Sequence, residues 1–181
     1  MRTIRFALYL TFLSLFFYAC ESDEEDTAPL DPDNVGFNVT VSGELSRNMQ
    51  GTNAYYRFQQ LPESSTTTHQ LSIYLTDGDG YTVTAIIGVN GETTPSPGTY
   101  PALNLTGNGY NGDDPGTSTF LFGKDGGISH SSNLMGQGGV SISTTTNGLL
   151  SGTLETPLSP TANGTEDVLV TGTFTVEFRP Q

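Results

Sequence analysis

Apolar and polar residues alternate with a period of two along most of the chain. Phe37, Val39 and Val41 alternate with polar neighbours, and the same pattern extends over residues 81–89 and 168–178. Successive side chains of a strand point to opposite faces, so this alternation predicts strands with one buried face and one solvated face. No window shows the spacing of an amphipathic helix.

Turn-forming residues separate the predicted strands. Asp77-Gly78-Asp79-Gly80 and Asn147-Gly148 each lie between two apolar rows, and these residue types tolerate the positive φ of hairpin turns. We count eight or nine strands, which predicts an all-β, antiparallel β-sandwich. A partly open β-barrel is the alternative, because periodicity does not separate the two. Residues 35–181 are enough for a single domain with its own core.

Three strands share a pattern of apolar residue, hydroxyl residue, glycine, any residue and apolar residue. The pattern occurs at residues 41–45, 150–154 and 170–174, with Gly43, Gly152 and Gly172 at its centre. A glycine inside a strand usually marks a bulge or a close backbone approach. We therefore predict matching bends in a curved sheet.

The first nineteen residues predict a secretory signal peptide. Arg2 and Arg5 precede an apolar run from Phe6 to Tyr18, and Ala19 stands before Cys20. The run is shorter than the roughly 20 residues that a spanning helix needs. Cys20 is the single cysteine of the chain, and its position directly after the apolar run predicts attachment of a diacylglyceryl group.

The charge of the chain is strongly acidic. The full sequence has 6 basic and 19 acidic residues, a net charge of −13. Seven of the acids fall between Glu21 and Asp33, where Pro29 and Pro32 also occur, so residues 20–34 are predicted to form a flexible tether behind the anchor. Residues 35–181 carry 12 acidic and 4 basic residues, and such a surface excludes binding to nucleic acid.

The amino-terminal region resembles that of bacterial lipoproteins. Phe17-Tyr18-Ala19-Cys20 is similar to a loose lipobox of the Bacteroidota, although Phe17 and Tyr18 depart from the usual pattern. The run from Glu21 to Asp26 resembles the acidic signal that sends such lipoproteins to the outer face of the outer membrane. This resemblance implies a protein that is lipid-anchored in the outer membrane and displayed at the cell surface. Asp26-Thr27-Ala28 resembles the O-glycosylation acceptor of exported Bacteroidota proteins, which makes Thr27 a candidate modification site.

The domain itself is similar to small Bacteroidota lipoproteins of uncharacterised function. Four segments carry the likeness, and they are residues 97–100, 139–143, 150–154 and 170–174. The resemblance implies a β-sandwich on a lipid anchor, and it implies no activity.

Candidates for catalysis are few. The histidines are His69, at the entrance to a predicted strand, and His130, and their Ser/Thr-rich surroundings predict exposed loop histidines. There is no Gly-x-Ser-x-Gly elbow, and two histidines without ligand spacing do not predict a zinc site. We expect no catalytic residues and no enzyme activity. An exported hydrolase that uses one of these histidines is kept as an alternative.

Two acidic, glycine-rich loops are candidates for weak Ca²⁺ binding, and no other cofactor is predicted. Asp77 and Asp79 stand two residues apart, and Asp113 and Asp114 form a second pair. Calcium prefers six to eight oxygen ligands, but no complete EF-hand loop is present. Asp and Gly are equally the ordinary residues of hairpin turns.

Carbohydrate binding is the most specific function that the sequence suggests. Tyr55, Tyr74 and Tyr110 offer flat apolar faces on which a sugar ring stacks, although the chain has no Trp. The suggestion follows from the predicted location at the cell surface and from the predicted β-sandwich fold, rather than from a sequence motif. The sequence thus predicts a surface or periplasmic protein with a binding or structural role, of which a carbohydrate-binding accessory of a polysaccharide-uptake system is the narrower form.

Overall fold

The described part of the chain is built entirely from β-strands and turns. The computed structural model describes residues 34–43, 45–61, 68–102, 116–132, 137–161 and 166–181, with the side chains of residues 144–146 excepted. Within these ranges there are eleven strands and no helix. The strands are β1 (Gly36–Gly43), β2 (Arg47–Gly51), β3 (Ala54–Gln60), β4 (His69–Thr76), β5 (Tyr81–Val89), β6 (Gly98–Pro101), β7 (Ser118–Lys124), β8 (Gly127–Ser132), β9 (Gly139–Thr146), β10 (Leu149–Pro160) and β11 (Val168–Phe178).

Hydrogen bonds join all eleven strands in one sheet, and its two shortest pairings divide the strands into two groups. One group has the order β2-β1-β11-β10-β9-β6, and the other has the order β3-β4-β5-β7-β8. Nearly every pairing is antiparallel, as the alternation predicts. The all-β prediction is therefore confirmed.

Two short seams join the groups. The end of β11 pairs with β3 in parallel, at Glu177↔Tyr55 and Phe178↔Tyr56. The end of β10 pairs with β8 through three residues, Leu158 to Pro160. Because β10 and β11 are long enough to belong to both groups, the architecture combines the layers of a sandwich with the lateral continuity of a barrel.

The inner faces of the strands form one hydrophobic core. Its members include Phe37 of β1, Phe120 and Phe122 of β7 and Phe174 of β11, all almost completely buried. Burial of a large apolar side chain contributes roughly 1.5–3 kcal/mol to stability, so this core is the main source of stability of the fold. The rows that alternate in the sequence are the rows that are buried.

Two hairpins turn on residues with left-handed backbone conformation. Asn147 (φ 51°) with Gly148 (φ 80°) connects β9 to β10, as predicted. Asp125 (φ 51°) with Gly126 (φ 81°) does the same between β7 and β8. Both pairs have positive φ at the two central residues, which is the geometry that favours Asn-Gly and Asp-Gly in tight hairpins.

Two of the strand glycines, Gly152 and Gly172, mark a bulge or a close backbone approach, and matching bends stay a prediction. The β9–β10 pairing shifts its register between Ser151 and Gly152, which is a β-bulge. At Gly172 the backbone of β1 passes so closely that an added Cβ would overlap the carbonyl oxygen of Asn38. Glycine is needed here because no side chain fits.

The eleven strands exceed the eight or nine that the sequence predicts. The short strand β2 has a single buried apolar side chain, Met49, and β8 contains no apolar residue beyond Ile128. Strands of this kind lack the alternation on which the count depends. None of the described residues belongs to a helix long and apolar enough to cross a bilayer.

Candidate functional site

A groove of about 370 Å³ lies on the outer face of the layer β3-β4-β5-β7-β8. Its lining residues on β5 are Thr82, Thr84 and Ile86, which alternate with the buried Val83 and Ala85. This alternation places the groove on the solvated face of the layer, opposite the core.

The strand register explains why a groove forms at this place. Thr84 of β5 pairs with Tyr74 of β4 on one side and with Leu121 of β7 on the other. A short side chain between two long ones leaves a depression. Two residues away on the same face of β5, Thr82 lies between Thr76 and Gly123, so the depression continues along the strand.

A stacked pair of tyrosines forms one wall. The rings of Tyr55 and Tyr74 are 5.0 Å apart between centroids with an interplanar angle of 22°. Tyr55 belongs to β3, on the side of β4 away from β5. The face of Tyr74 that does not stack on Tyr55 is therefore turned toward Thr84 and the groove.

The β7–β8 hairpin forms the other wall, and a bulge positions it. Ile128 pairs with Gly123 whereas His130 pairs with Phe122, and the register shifts between these two pairs. Residues two apart normally share a face, but the extra residue Ser129 puts Ile128 on the groove side and His130 on the core side. Gly123 has no Cβ, which leaves space for the backbone of Gly127.

The guanidinium groups of two arginines lie over the ring of Tyr55. The guanidinium of Arg179 is 4.5 Å from the Tyr55 ring centroid, and that of Arg57 is 5.0 Å from it. Arg179 is paired with the carboxylate of Glu177 at 2.9 Å. These cation–π contacts hold the Tyr55 ring and through it support Tyr74.

Tyr55 and Tyr74, two of the three tyrosines proposed for ligand stacking, are thus neighbours in one groove. Tyr110, the third, lies outside the described residues. The same holds for the predicted lipidation site Cys20, the predicted glycosylation site Thr27 and the aspartates Asp113 and Asp114.

Asp77 and Asp79 have protein partners in the described structure. Asp77 is 6% exposed, and one of its oxygens accepts hydrogen bonds of 2.9 Å from the backbone N–H groups of Asp79 and Tyr81. The other accepts a 2.9 Å bond from Nε of Arg47, whose Nη2 contacts Asp79. These carboxylates raise the pKa of the Arg47 guanidinium above its ordinary value, Asp79 more than Asp77. The pair therefore ties β2 to the β4–β5 turn, and a calcium ion here would have to displace Arg47.

His69 begins β4, at the strand entrance that the sequence predicts, and its side chain is partly buried rather than exposed. Its Nδ1 is 3.0 Å from the Thr68 hydroxyl, and its Nε2 is 3.7 Å from a carboxylate oxygen of Glu92, a residue that is 72% exposed. The Thr68 hydroxyl also accepts a hydrogen bond from the N–H of Gly91. An acid, a histidine and a hydroxyl are thus close together, but the acid is beyond hydrogen-bond distance and the hydroxyl ties down the backbone.

The prediction of an exposed loop for His130 is wrong. His130 lies within β8, is 8% exposed and packs its ring 5.9 Å from that of Phe122. Its Nδ1 is 2.9 Å from the Ser129 hydroxyl, and no carboxylate pairs with it among the described residues. The surrounding serines conceal the strand, because serine and histidine carry no apolar alternation.

Within the described ranges, no group of three histidine, cysteine or acidic side chains is arranged to hold a metal ion. Comparison of the chain with family models, with curated proteins and with solved structures found no match. The fold and the groove therefore define the class of protein, an all-β protein with a ligand-sized groove on one sheet face.

Several groove residues are not among the sequence candidates. Thr84, Leu121 and Ile128 belong to three different strands, and only the register brings them together. The signal in the sequence is the polar face of β4 and β5, on which Tyr74, Thr82 and Thr84 stand.

Proposed function

We propose that this protein is a non-catalytic binding protein, anchored by a lipid on Cys20, whose outer-face groove binds carbohydrate. The observation that carries the proposal is the arrangement of Tyr74. One face of its ring is covered by Tyr55, and the other borders a groove with a threonine floor.

The composition of the groove suits a sugar. A pyranose ring has an apolar face that packs on an aromatic ring and a periphery of hydroxyls that needs hydrogen-bond partners. Tyr74, Leu121 and Ile128 offer the apolar contacts, and the hydroxyls of Thr76 and Thr82, 2.9 Å apart, offer the polar ones. Binding sites commonly combine an apolar lining with a few polar groups in this way.

The amino-terminal sequence supports the proposed location at the outer membrane. The apolar run that ends at Ala19-Cys20 and the acidic residues that follow favour a lipid anchor at the outer membrane. A surface display of this kind would give the groove access to polysaccharides outside the cell.

The groove supports binding better than His69 supports hydrolysis. The Glu92 carboxylate is 3.7 Å from His69, and Thr68 would have to act as the nucleophile while it accepts a backbone hydrogen bond. A triad needs the base oriented by its acid and close to a free hydroxyl.

A glycan array tests the proposal. The purified full-length protein should bind a defined subset of glycans, and Tyr74→Ala should weaken that binding about tenfold or more, because truncated aromatic anchors dominate binding energy. Tyr74→Phe keeps the ring and should keep the binding. An array without signal, or equal signal from Tyr74→Ala, would refute the proposal.

A further inference from the structure

A cation without a carboxylate partner among the described residues lies beside the groove. Arg57 of β3 is half-buried. Its Nε atom is buried and has no hydrogen-bond partner among the described residues. Its guanidinium contacts the Tyr55 ring at 5.0 Å, on the strand next to Tyr74. A buried donor left without a hydrogen-bond partner destabilises the folded protein, so this arrangement requires an explanation.

The other two arginines of residues 35–181 have carboxylate partners, in contrast to Arg57. Arg47 is paired with Asp77 and Asp79, and Arg179 is paired with Glu177. Residues 35–181 contain 12 acidic and 4 basic residues, so carboxylates are three times as frequent as cations. Arg57 nevertheless has no carboxylate within salt-bridge distance in the ranges that the structure describes.

The register places Arg57 within reach of the groove. Arg57 pairs with Ser72, and Ser72 pairs with Ile86, which lines the groove. Neighbouring strands are about 4.8 Å apart, so the backbone of Arg57 lies about 10 Å from that of Ile86 with only a short serine between them. The ring of Tyr55, over which the guanidinium of Arg57 lies, itself lines the groove.

We infer that the groove binds a saccharide that carries a carboxylate, that is, a uronic-acid sugar. This inference rests on the proposed function and deepens it. The sugar ring packs on Tyr74, and the carboxylate pairs with the guanidinium of Arg57. Arginine suits this role because its planar fork matches a carboxylate and remains charged at all physiological pH values.

The charge distribution makes the pairing specific. The acidic surface of the domain repels an anionic sugar in general. A uronate therefore gains binding free energy only where its carboxylate contacts a cation that has no other partner. A neutral sugar would leave the half-buried guanidinium unpaired.

Calorimetric titration of the purified full-length protein tests the inference. The probes are oligogalacturonides and oligomannuronates about four sugars long, each compared with its methyl ester, in the presence of a chelator that removes calcium. The ester retains the size and shape of the sugar but removes its charge. At least one acid should bind more tightly than its ester by about tenfold or more, because esterification removes the charge that strengthens the hydrogen bonds to the guanidinium.

Two variants assign the preference to a residue. Arg57→Gln should abolish the preference for the acid over its ester. Lys124→Gln also removes one positive charge, but this variant should keep the preference for the acid. Lys124 pairs with Tyr81 on the opposite side of the sheet from the groove. Circular dichroism and thermal melting show whether both variants remain folded.

The outcomes separate the inference from the proposed function. Equal binding of every acid and its ester, or a preference that survives in Arg57→Gln, overturns the inference and leaves sugar binding at Tyr74 intact. The inference is also overturned, and the proposed function kept, if neutral glycans bind on the array while no uronate binds. Failure of all glycans overturns both.

Discussion

Individual polar side chains in this protein have distinct structural tasks that residue type alone does not reveal. Asp77 is buried and bonded on both oxygens, whereas Asp79, two residues away, is 70% exposed. The Asp-Gly sequence alone is consistent with a metal loop and with a turn. The burial of Asp77 and its contact with Arg47 support the turn, while calcium binding remains a prediction.

Replacement of Asp77 should destabilise the protein more than replacement of Asp79. Asp77→Ala leaves two backbone N–H groups and Arg47 without their acceptor, which should lower the free energy of unfolding by about 1–3 kcal/mol. Asp79→Ala removes an exposed ion pair and should cost less than about 1 kcal/mol. Urea denaturation measures both, and equal losses would show that Asp77 has no special role in the turn.

Buried tyrosines predict a loss of stability in alkaline solution. Burial raises the pKa of Tyr56 and of Tyr100 above the ordinary value of 10.0. The unfolded chain then releases its phenol protons at lower pH than the folded chain. The stability that these two phenols contribute is fully present below about pH 10, and it is lost as the pH rises through their raised pKa values.

The matched variant for this prediction is Tyr56→Phe. Its free energy of unfolding should fall less between about pH 9 and pH 11 than that of the wild type, because one phenol with a raised pKa is gone. Denaturation at several pH values provides the measurement. A parallel decline in both proteins would mean that Tyr56 does not contribute.

At the scale of strands, glycine positions decide how closely neighbouring strands approach one another. Gly172 of β11 lies against the backbone of β1, and Gly152 lies at the bulge between β9 and β10. Both β10 and β11 extend into the seams that join the two layers. The register shift and the close approach thus lie on the two strands that take part in both groups.

Gly172→Ala should be destabilising by about 1–3 kcal/mol, because the new methyl group overlaps the backbone of β1 and forces the strands apart. Gly78→Ala is the control. No atom lies within 4 Å of a Cβ at Gly78, so this change should stay within about 0.5 kcal/mol of the wild type. Thermal unfolding measures both, and a neutral Gly172→Ala would contradict the close packing of β1 on β11.

The sequence predicts strands well where one face is apolar and poorly where it is not. The rows around Phe37, Ile87 and Val170 are recognisable because each alternates over at least five residues. In β8, by contrast, His130 and its neighbouring serines look like a loop, although His130 is buried against Phe122.

The groove is predictable only in part. The alternation places Tyr74 on the polar face of its strand, and Tyr55 is a candidate by residue type. Their stacking and the position of Thr84 depend on cross-strand register, which is a long-range property of the sheet. The bulge at Ser129 that turns Ile128 toward the groove leaves no trace in the alternation.

At the scale of the whole molecule, the proposal joins an anchor, a tether and a binding domain. The predicted signal peptide covers residues 1–19, and the predicted acidic tether, residues 20–34, would separate the anchor from β1. A single acyl chain binds a membrane only marginally, so lasting attachment requires more than one.

Mass spectrometry of the protein from its native membranes tests the anchor. We expect a mature chain that begins at Cys20 and carries a diacylglyceryl group on sulfur, with a Cys20→Ser variant recovered uncleaved and unlipidated. An unmodified thiol or an intact leader would contradict the anchor, although the groove could still bind its ligand.

Binding at the groove is the central claim, and nuclear magnetic resonance tests it most directly. The isotope-labelled protein is titrated with the strongest glycan from the array while the backbone amide shifts are followed. The largest changes should occur at Tyr74, Thr84, Leu121 and Ile128. Changes confined to the opposite layer, such as β1, β2 or β9, would contradict the assignment of the outer face of β3-β4-β5-β7-β8 as the binding surface.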